Sequence, residues 1–314
     1  MKKAIILTAN RKGGAFVEIR VLRYFLAVAR EGSVTAAANT LHITQPTLSR
    51  QLMELEAELG KKLFDRSARR LVLTPDGMLL RKRAEDLVEL MEKTEAELRA
   101  SGEQLRGDIY IGGGETEAMS RIAAAARLFR SQYPDIHFHL YSGNANDVVE
   151  RLEKGLLDFG LLIQPFDISR YDHMSFPDKD VWGLIMRTDH PLAAQPSIRR
   201  EELLGLPLLF SRQAARRAPS TDDFHAWFGA DWSRLNIIGT FNLIYNAALM
   251  VKAGVGCAVS LDRLADTSEG SGLCFRPLEP RLEAGLDLVW KKHAVFSAAA
   301  ELFLDTLRRQ LAAV

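Results

Sequence analysis

Gln45, Pro46, Thr47, Ser49 and Arg50 stand together in the run QPTLSR. An amide, two hydroxyls and a guanidinium at this spacing supply the donors and acceptors that read base edges in a major groove or grip phosphate oxygens. A second basic group follows: Arg66, Arg69 and Arg70 crowd a polar turn between the apolar runs Leu63-Phe64 and Leu71-Val72-Leu73. Two short apolar runs around a polar turn suggest a β-hairpin, and an arginine-bearing tip suits phosphates or a minor groove. The bland alternative is a solvated basic loop; the position beside the first group favours the hairpin.

These groups need a frame. Residues 18–31 put Leu22, Phe25, Leu26 and Ala29 on one helical face, and Gly32 ends that helix. Ser33 caps a short helix through Ala36-Ala37-Ala38, and His42-Ile43 turns the chain to Thr44, a plausible N-cap with Pro46 in the first turn. Leu48, Leu52, Leu55 and Leu59 then form a stripe opposite Pro46, Thr47 and Arg50. Helix, short helix, tight turn and longer helix make a helix-turn-helix, whose last helix enters the groove N-terminus first.

The segment from Leu22 to about Gly77 resembles the winged helix-turn-helix of LysR-type transcriptional regulators. The resemblance is carried by Ala36–Ala38, Thr44-Gln45-Pro46, Leu48-Ser49-Arg50-Gln51, Leu55-Glu56, Leu59-Gly60, Leu63-Phe64-Asp65-Arg66 and Leu73-Thr74-Pro75-Asp76-Gly77. It extends over nearly the whole chain beyond the first sixteen residues. It implies a sequence-specific regulator that binds double-stranded DNA, is controlled by a small-molecule effector, and assembles with itself as a dimer and further as a tetramer.

Thr74 can cap a third long helix with Pro75 at its first position. Read in sevens, Leu80, Leu87, Thr94 and Ser101 fall in one column, and Ala84, Met91, Leu98 and Leu105 in the other. Surrounded by charges, this is the seam of a two-helix coiled coil. The alternative is a helix lying on its own domain. Gly102, Arg106 and Gly107 then mark a hinge.

From Asp108 the texture becomes strand–helix alternation, which implies a parallel sheet with ligand-binding loops at strand ends. Strands are expected at Gly183–Arg187, Leu206–Ser211, Ile237–Phe241, Val255–Ser260 and Leu286–Trp290. The Met119–Gln132 and Leu243–Ala253 runs are expected as helices. The pattern restarts after Ile163, as in two-lobe periplasmic solute-binding proteins. The expected fold is α/β: a winged helix-turn-helix, a long linker helix and a two-lobe periplasmic-binding-protein-like effector domain. Its expected boundaries are 1–17 for an N-terminal extension, 18–76 for the head and 77–106 for a dimerising helix. The effector domain takes 107–314, with one lobe from 107–164 and 280–314 and the other from 165–279.

Strand-end loops facing the cleft nominate Gly114, Glu115, Thr116, Ser142 and Asn144 in the first lobe, and Ser211, Arg212, Phe241, Asn242 and Tyr245 in the second. Backbone N–H groups ahead of a helix suit an organic anion, and Arg212 supplies a counter-charge. Glu115 opposes an anion and invites a donor or cation. For each residue a purely structural role competes with ligand contact.

Composition narrows the classes. Residues 1–107 carry 19 Lys and Arg against 14 Asp and Glu, and the remainder 22 against 26. A basic front and acidic back suggest a polyanion partner for the front alone. Cys257 and Cys274 make no metal or disulfide framework and fit a reducing cytoplasm. No apolar run approaches the roughly 18 residues of a membrane span. Gly112-Gly113-Gly114 lacks nucleotide-loop spacing, His137 and His139 lack zinc spacing, and no catalytic set assembles. No cofactor, metal, membrane or enzymatic activity is expected. A solute-binding protein with an accessory head is the alternative function.

Overall fold

Leu48, Leu52 and Leu55 recur at helical spacing and all three are buried, so their helix has one face committed to a core. That core belongs to the first of two units in the computed structural model, which divide between Glu95 and Ala96. The structure describes residues 17–65, 71–99, 105–216 and 223–312. Residues 1–16 of the expected extension, Arg66, Arg69, Arg70 and Ser101 lie outside the described residues.

In the first unit α1 (Ile19–Glu31) ends at Gly32, whose left-handed φ of 62° leaves its N–H to cap Val28 O. Ser33 caps α2 (Val34–Thr40) by accepting from Ala36 N at 3.3 Å. Helix α3 (Gln45–Leu59) ends at left-handed Gly60. Thr44 holds the N-cap position, but its hydroxyl meets Thr47 Oγ1 at 2.8 Å instead of capping the backbone. Strands β1 (Phe64–Asp65) and β2 (Val72–Leu73) pair antiparallel, Phe64 opposite Leu73. The hairpin base therefore exists as expected. Phe25 packs on Phe64 with ring centroids 5.3 Å apart, so the hairpin is stitched to α1.

Helix α4 (Pro75–Arg99) opens under Thr74, whose hydroxyl accepts from Gly77 N at 3.0 Å and donates to Lys62 O at 2.6 Å. Its first turns pack inward: Ala84 is fully buried in the head's core, with Leu80 and Val88 against it.

The second unit holds two sheets. In the first lobe β3 (Gly107–Gly113), α5 (Met119–Gln132), β4 (Ile136–Ser142), α6 (Ala145–Glu153), β5 (Phe159–Ile163) and β6 (Tyr171–Ser175) follow in chain order. In the second come β7 (Asp180–Arg187), β8 (Ile198–Arg199), α7 (Arg200–Leu203), β9 (Leu208–Ser211), α8 (Arg212–Arg216) and α9 (Asp223–Phe228). Then follow β10 (Ile237–Phe241), α10 (Ile244–Lys252), β11 (Cys257–Leu261), β12 (Leu273–Glu279) and β13 (Glu283–Ala284). Strand β14 (Leu286–Lys291) and α11 (Ala298–Ala312) return to the first lobe.

The sheet orders are β4-β3-β5-β14-β6 and β10-β9-β11-β7-β12-β8, with β13 on β7. Both are mixed rather than parallel, because β14 and β7 run antiparallel to their neighbours. Two boundaries differ from the sequence reading. Strand β6 pairs with β14, so the first lobe runs beyond 164 to the end of β6; β13 pairs with β7, so the second runs beyond 279 to Ala284. Both short strands sit at the chain crossings between lobes, where no apolar periodicity announces them.

Candidate functional site

The exposed end of α3 carries Gln45, Pro46, Thr47 and Arg50 in the open and Ser49 half-buried. Leu48 turns into the core between them, as the 100° step of a helix requires. Arg50 is not a loose cation: its Nε donates to Glu54 Oε1 at 2.8 Å, and Gln51 Nε2 donates to the other carboxylate oxygen at 2.8 Å. That hydrogen bond raises the Arg50 pKa further above its ordinary value, so the guanidinium is charged wherever the protein is folded. Glu54 thus gives Arg50 a partner one turn along the exposed face of α3.

A buried carboxylate ties α3 to the hairpin. Glu56 Oε1 accepts from Leu63 N at 2.8 Å and Phe64 N at 3.2 Å, and Glu56 is 3% exposed. Its partners are backbone N–H groups of a later segment, which the residue pattern along α3 does not reveal. Glu56→Ala leaves two buried N–H groups unpaired and should cost about 2–4 kcal/mol of head stability. A urea melt followed by far-UV circular dichroism measures this, with Glu56→Gln recovering part of the loss.

In the second unit a cavity of about 450 Å³ lies between the lobes. That volume suits a small metabolite. Ile163, Phe166, Trp182, Phe241, Leu264 and Leu282 give it apolar walls. Its polar lining includes Glu115, Asn144, Gln164, Ser211, Arg212, Asn242 and Ser260. Arg212 is exposed and has no ion-pair partner among the described residues. Gln164 is fixed from behind: its side chain donates to buried Asp287, which also accepts from Ser175 Oγ at 2.5 Å. Asn144 caps α6, accepting from Asn146 N at 3.0 Å and Asp147 N at 3.1 Å.

Two family models cover the described units. Residues 19–78 match the bacterial regulatory helix-turn-helix protein, lysR family, and residues 102–312 match the LysR substrate binding domain. The chain belongs to the LysR family of transcriptional regulators. It is a DNA-binding regulator with an effector-binding domain. Among relatives of this LysR protein, the uncharacterized HTH-type transcriptional regulator YfeR of Shigella flexneri is 28% identical over 93% of this chain and 94% of its own. The Hca operon transcriptional activator HcaR of Escherichia coli K12 is 27% identical over 95% and 99%. Among solved structures, full-length CbnR in complex with its target DNA superposes with a TM-score of 0.73 at 21% identity, over 93% of this chain and 99% of that one. That likeness supports the fold.

Within this LysR chain the structure sorts the residues nominated from sequence. Gly114, Glu115, Asn144, Ser211, Arg212, Phe241 and Asn242 line the cavity together. Thr116, Ser142 and Tyr245 do not. Thr116 is buried, and its hydroxyl donates to Asp180 Oδ2 at 2.5 Å while accepting from Ala118 N. Ser142 is exposed at the end of β4, and Tyr245 is 71% exposed because Ile244 takes the inward face of α10. Gln164, Phe166, Trp182 and Gly285 were missed; Gln164 and Phe166 follow the end of β5, Trp182 lies within β7, and Gly285 sits on the return crossing.

The linker seam is also revised. Ala84 and Leu80 pack inside the head, because the first turns of α4 complete its core, and Leu105 packs on the first lobe. Leu87, Met91 and Leu98 remain open at 48%, 39% and 74% exposure, joined by Leu79 and Leu90. Both cysteines are buried; burial pushes the Cys257 thiol up to about 11 and Cys274 in the same direction, so neither is a ready nucleophile. Among the described residues no group of three His, Cys, Asp or Glu is placed to hold a metal, and no helix is long and apolar enough to cross a membrane.

Proposed function

We propose that this regulator acts in the cytoplasm as an oligomer whose heads read paired half-sites, and that a small organic anion in the inter-lobe cavity sets its output. The observation that carries the reading is Arg212, a cation without a partner at the wall of a metabolite-sized, largely apolar cavity. A carboxylate on an apolar body fits that combination. The exposed stripe Leu87, Met91 and Leu98 on α4 supports pairing with a second copy, since such a stripe in water is unfavourable. On DNA, Thr47, Ser49 and Arg50 read base edges, while Arg66, Arg69 and Arg70 hold the backbone.

A gel-shift titration against the DNA flanking its own gene tests the assignment. Arg50→Ala should weaken the specific site by about 10- to 100-fold and leave random DNA little changed. Arg69→Ala should weaken both alike and lower the salt slope by about one. Parent-like binding by both across a salt series would reject the head assignment. A metabolite screen repeated with Arg212→Ala tests the cavity: ligands that change DNA binding should lose that effect.

A further inference from the structure

Helix α10 starts at the cavity wall with Leu243 in its N-cap position, a residue with no side-chain acceptor to offer. Its first N–H is nevertheless satisfied. Ile244 N donates to Glu115 Oε2 at 2.6 Å, and Glu115 belongs to the opposite lobe. A helix start concentrates unpaired N–H groups and the positive end of the dipole, and here it has recruited a carboxylate from across the cleft. A second group points the same way. Ser260, on the adjacent strand β11, lines the same cavity at 3% exposure, and its hydroxyl has no hydrogen-bond partner among the described residues. A hydroxyl that faces the cavity without an acceptor in the protein, on the wall it shares with Ile244, can donate to a ligand there. The other long helix that starts at the cavity, α6, is already capped by its own Asn144.

We propose that the N-terminus of α10, with Ser260, is a carboxylate-binding subsite of the cleft in addition to Arg212, and that Glu115 is its resident occupant. An anionic effector enters by displacing Glu115, which releases the hydrogen bond that joins the lobes. Glu115 thereby sets both the charge class of the ligand and the threshold for its binding. This deepens the reading of the cleft as the effector site and rests on it. It also resolves the apparent conflict of an acidic residue in an anion site: the glutamate competes with the ligand for one position.

The test uses the full chain and a free carboxylate as the probe. All four tryptophans, Trp182, Trp227, Trp232 and Trp290, lie in the effector domain, so fluorescence melting reports that domain alone. Glu115→Ala empties the subsite and should lower its Tm by roughly 2–5 °C. Potassium acetate at about 100 mM, compared with potassium chloride at equal ionic strength, should restore most of that loss in Glu115→Ala and leave the parent unmoved. Glu115→Gln, which keeps an acceptor without the charge, should fall between and respond less to acetate. Combining Glu115→Ala with Ser260→Ala should abolish the acetate response. Acetate acting equally on parent and variant, or on neither, overturns the proposal. Acetate rescue in a protein whose DNA binding no metabolite alters would retire the effector reading and leave the subsite standing.

Discussion

Gly77→Ala should strongly destabilise the head. In an open helix this exchange stabilises by about 1 kcal/mol, since alanine is the better helix former. Here a Cβ at position 77 would stand 2.1 Å from Leu63 O and 3.0 Å from Leu73 Cδ2. The oxygen it meets is backbone and already accepts from Thr74 N at 3.0 Å. It cannot swing aside as a side chain would. Relief requires lifting α4 from the hairpin base, which breaks that bond and uncovers Ala84 and Leu80. Overpacking costs about 1–3 kcal/mol where a core can yield, and more against fixed backbone. The clash therefore outweighs the propensity gain, and net destabilisation of about 3 kcal/mol is expected. Far-UV circular dichroism should show an early loss of helix while the tryptophan transition of the effector domain stays in place. Specific DNA binding should be lost at the lower temperature where the head melts. An alanine variant melting at or above the parent would show that α4 does not sit on Leu63.

The second large effect lies where the lobes join. Asp180 is 1% exposed, at the first position of β7, and pairs in register with Ala284 of the return crossing. Burial pushes its carboxyl pKa up from 3.8 to about 6; the Thr116 hydroxyl pulls it down in part, and Asp262 pushes it up again. The folded protein thus holds this proton more tightly than the unfolded chain does. Its contribution is fully present below pH 4 and is lost as pH rises through 6, so at pH 7.5 the charged form costs up to about 3 kcal/mol. Asp180→Asn removes the charge and keeps an oxygen for Thr116. The variant should be more stable than the parent at pH 7.5 by about 1–3 kcal/mol, with the gap closing near pH 4.5. Urea melts followed by tryptophan fluorescence at the two pH values decide it. A gap that is independent of pH, or that widens toward acid, would sink the assignment.

Much of this was legible in the sequence, and particular residues show where legibility ends. The leucines of α3 announce their own burial through spacing, and Met119–Gln132 and Ile237–Phe241 declare α5 and β10 in the same way. Glycines at strand ends pointed to Gly114 and Glu115, and both line the inter-lobe cavity. Thr116, one residue on, looked equivalent; only the folded chain brings Asp180 to it across 64 positions. Glu56 entered the sequence reading only through the Leu55-Glu56 pair, since its backbone N–H partners show in no side-chain pattern. Trp182 enters the cavity from β7 and Gln164 from the end of β5, elements of opposite lobes that meet only because two sheets share one chain. Local periodicity fixes which face of an element is buried, whereas pairings over long separations follow from topology.

The lobes are joined by two crossings that run side by side, from Phe176 to Lys179 and at Gly285, and β13 on β7 zips them together. Paired straps of this kind resist twist and shear and leave one soft rotation, the way two hinge pins define a door's axis. Opening and closing of the cleft is then a single coordinate. Every perturbation on it, whether a ligand, a proton on Asp180 or the loss of Glu115, should move the lobes along the same arc and differ only in extent. Effects of such changes on one interlobe distance should consequently fall on a common curve.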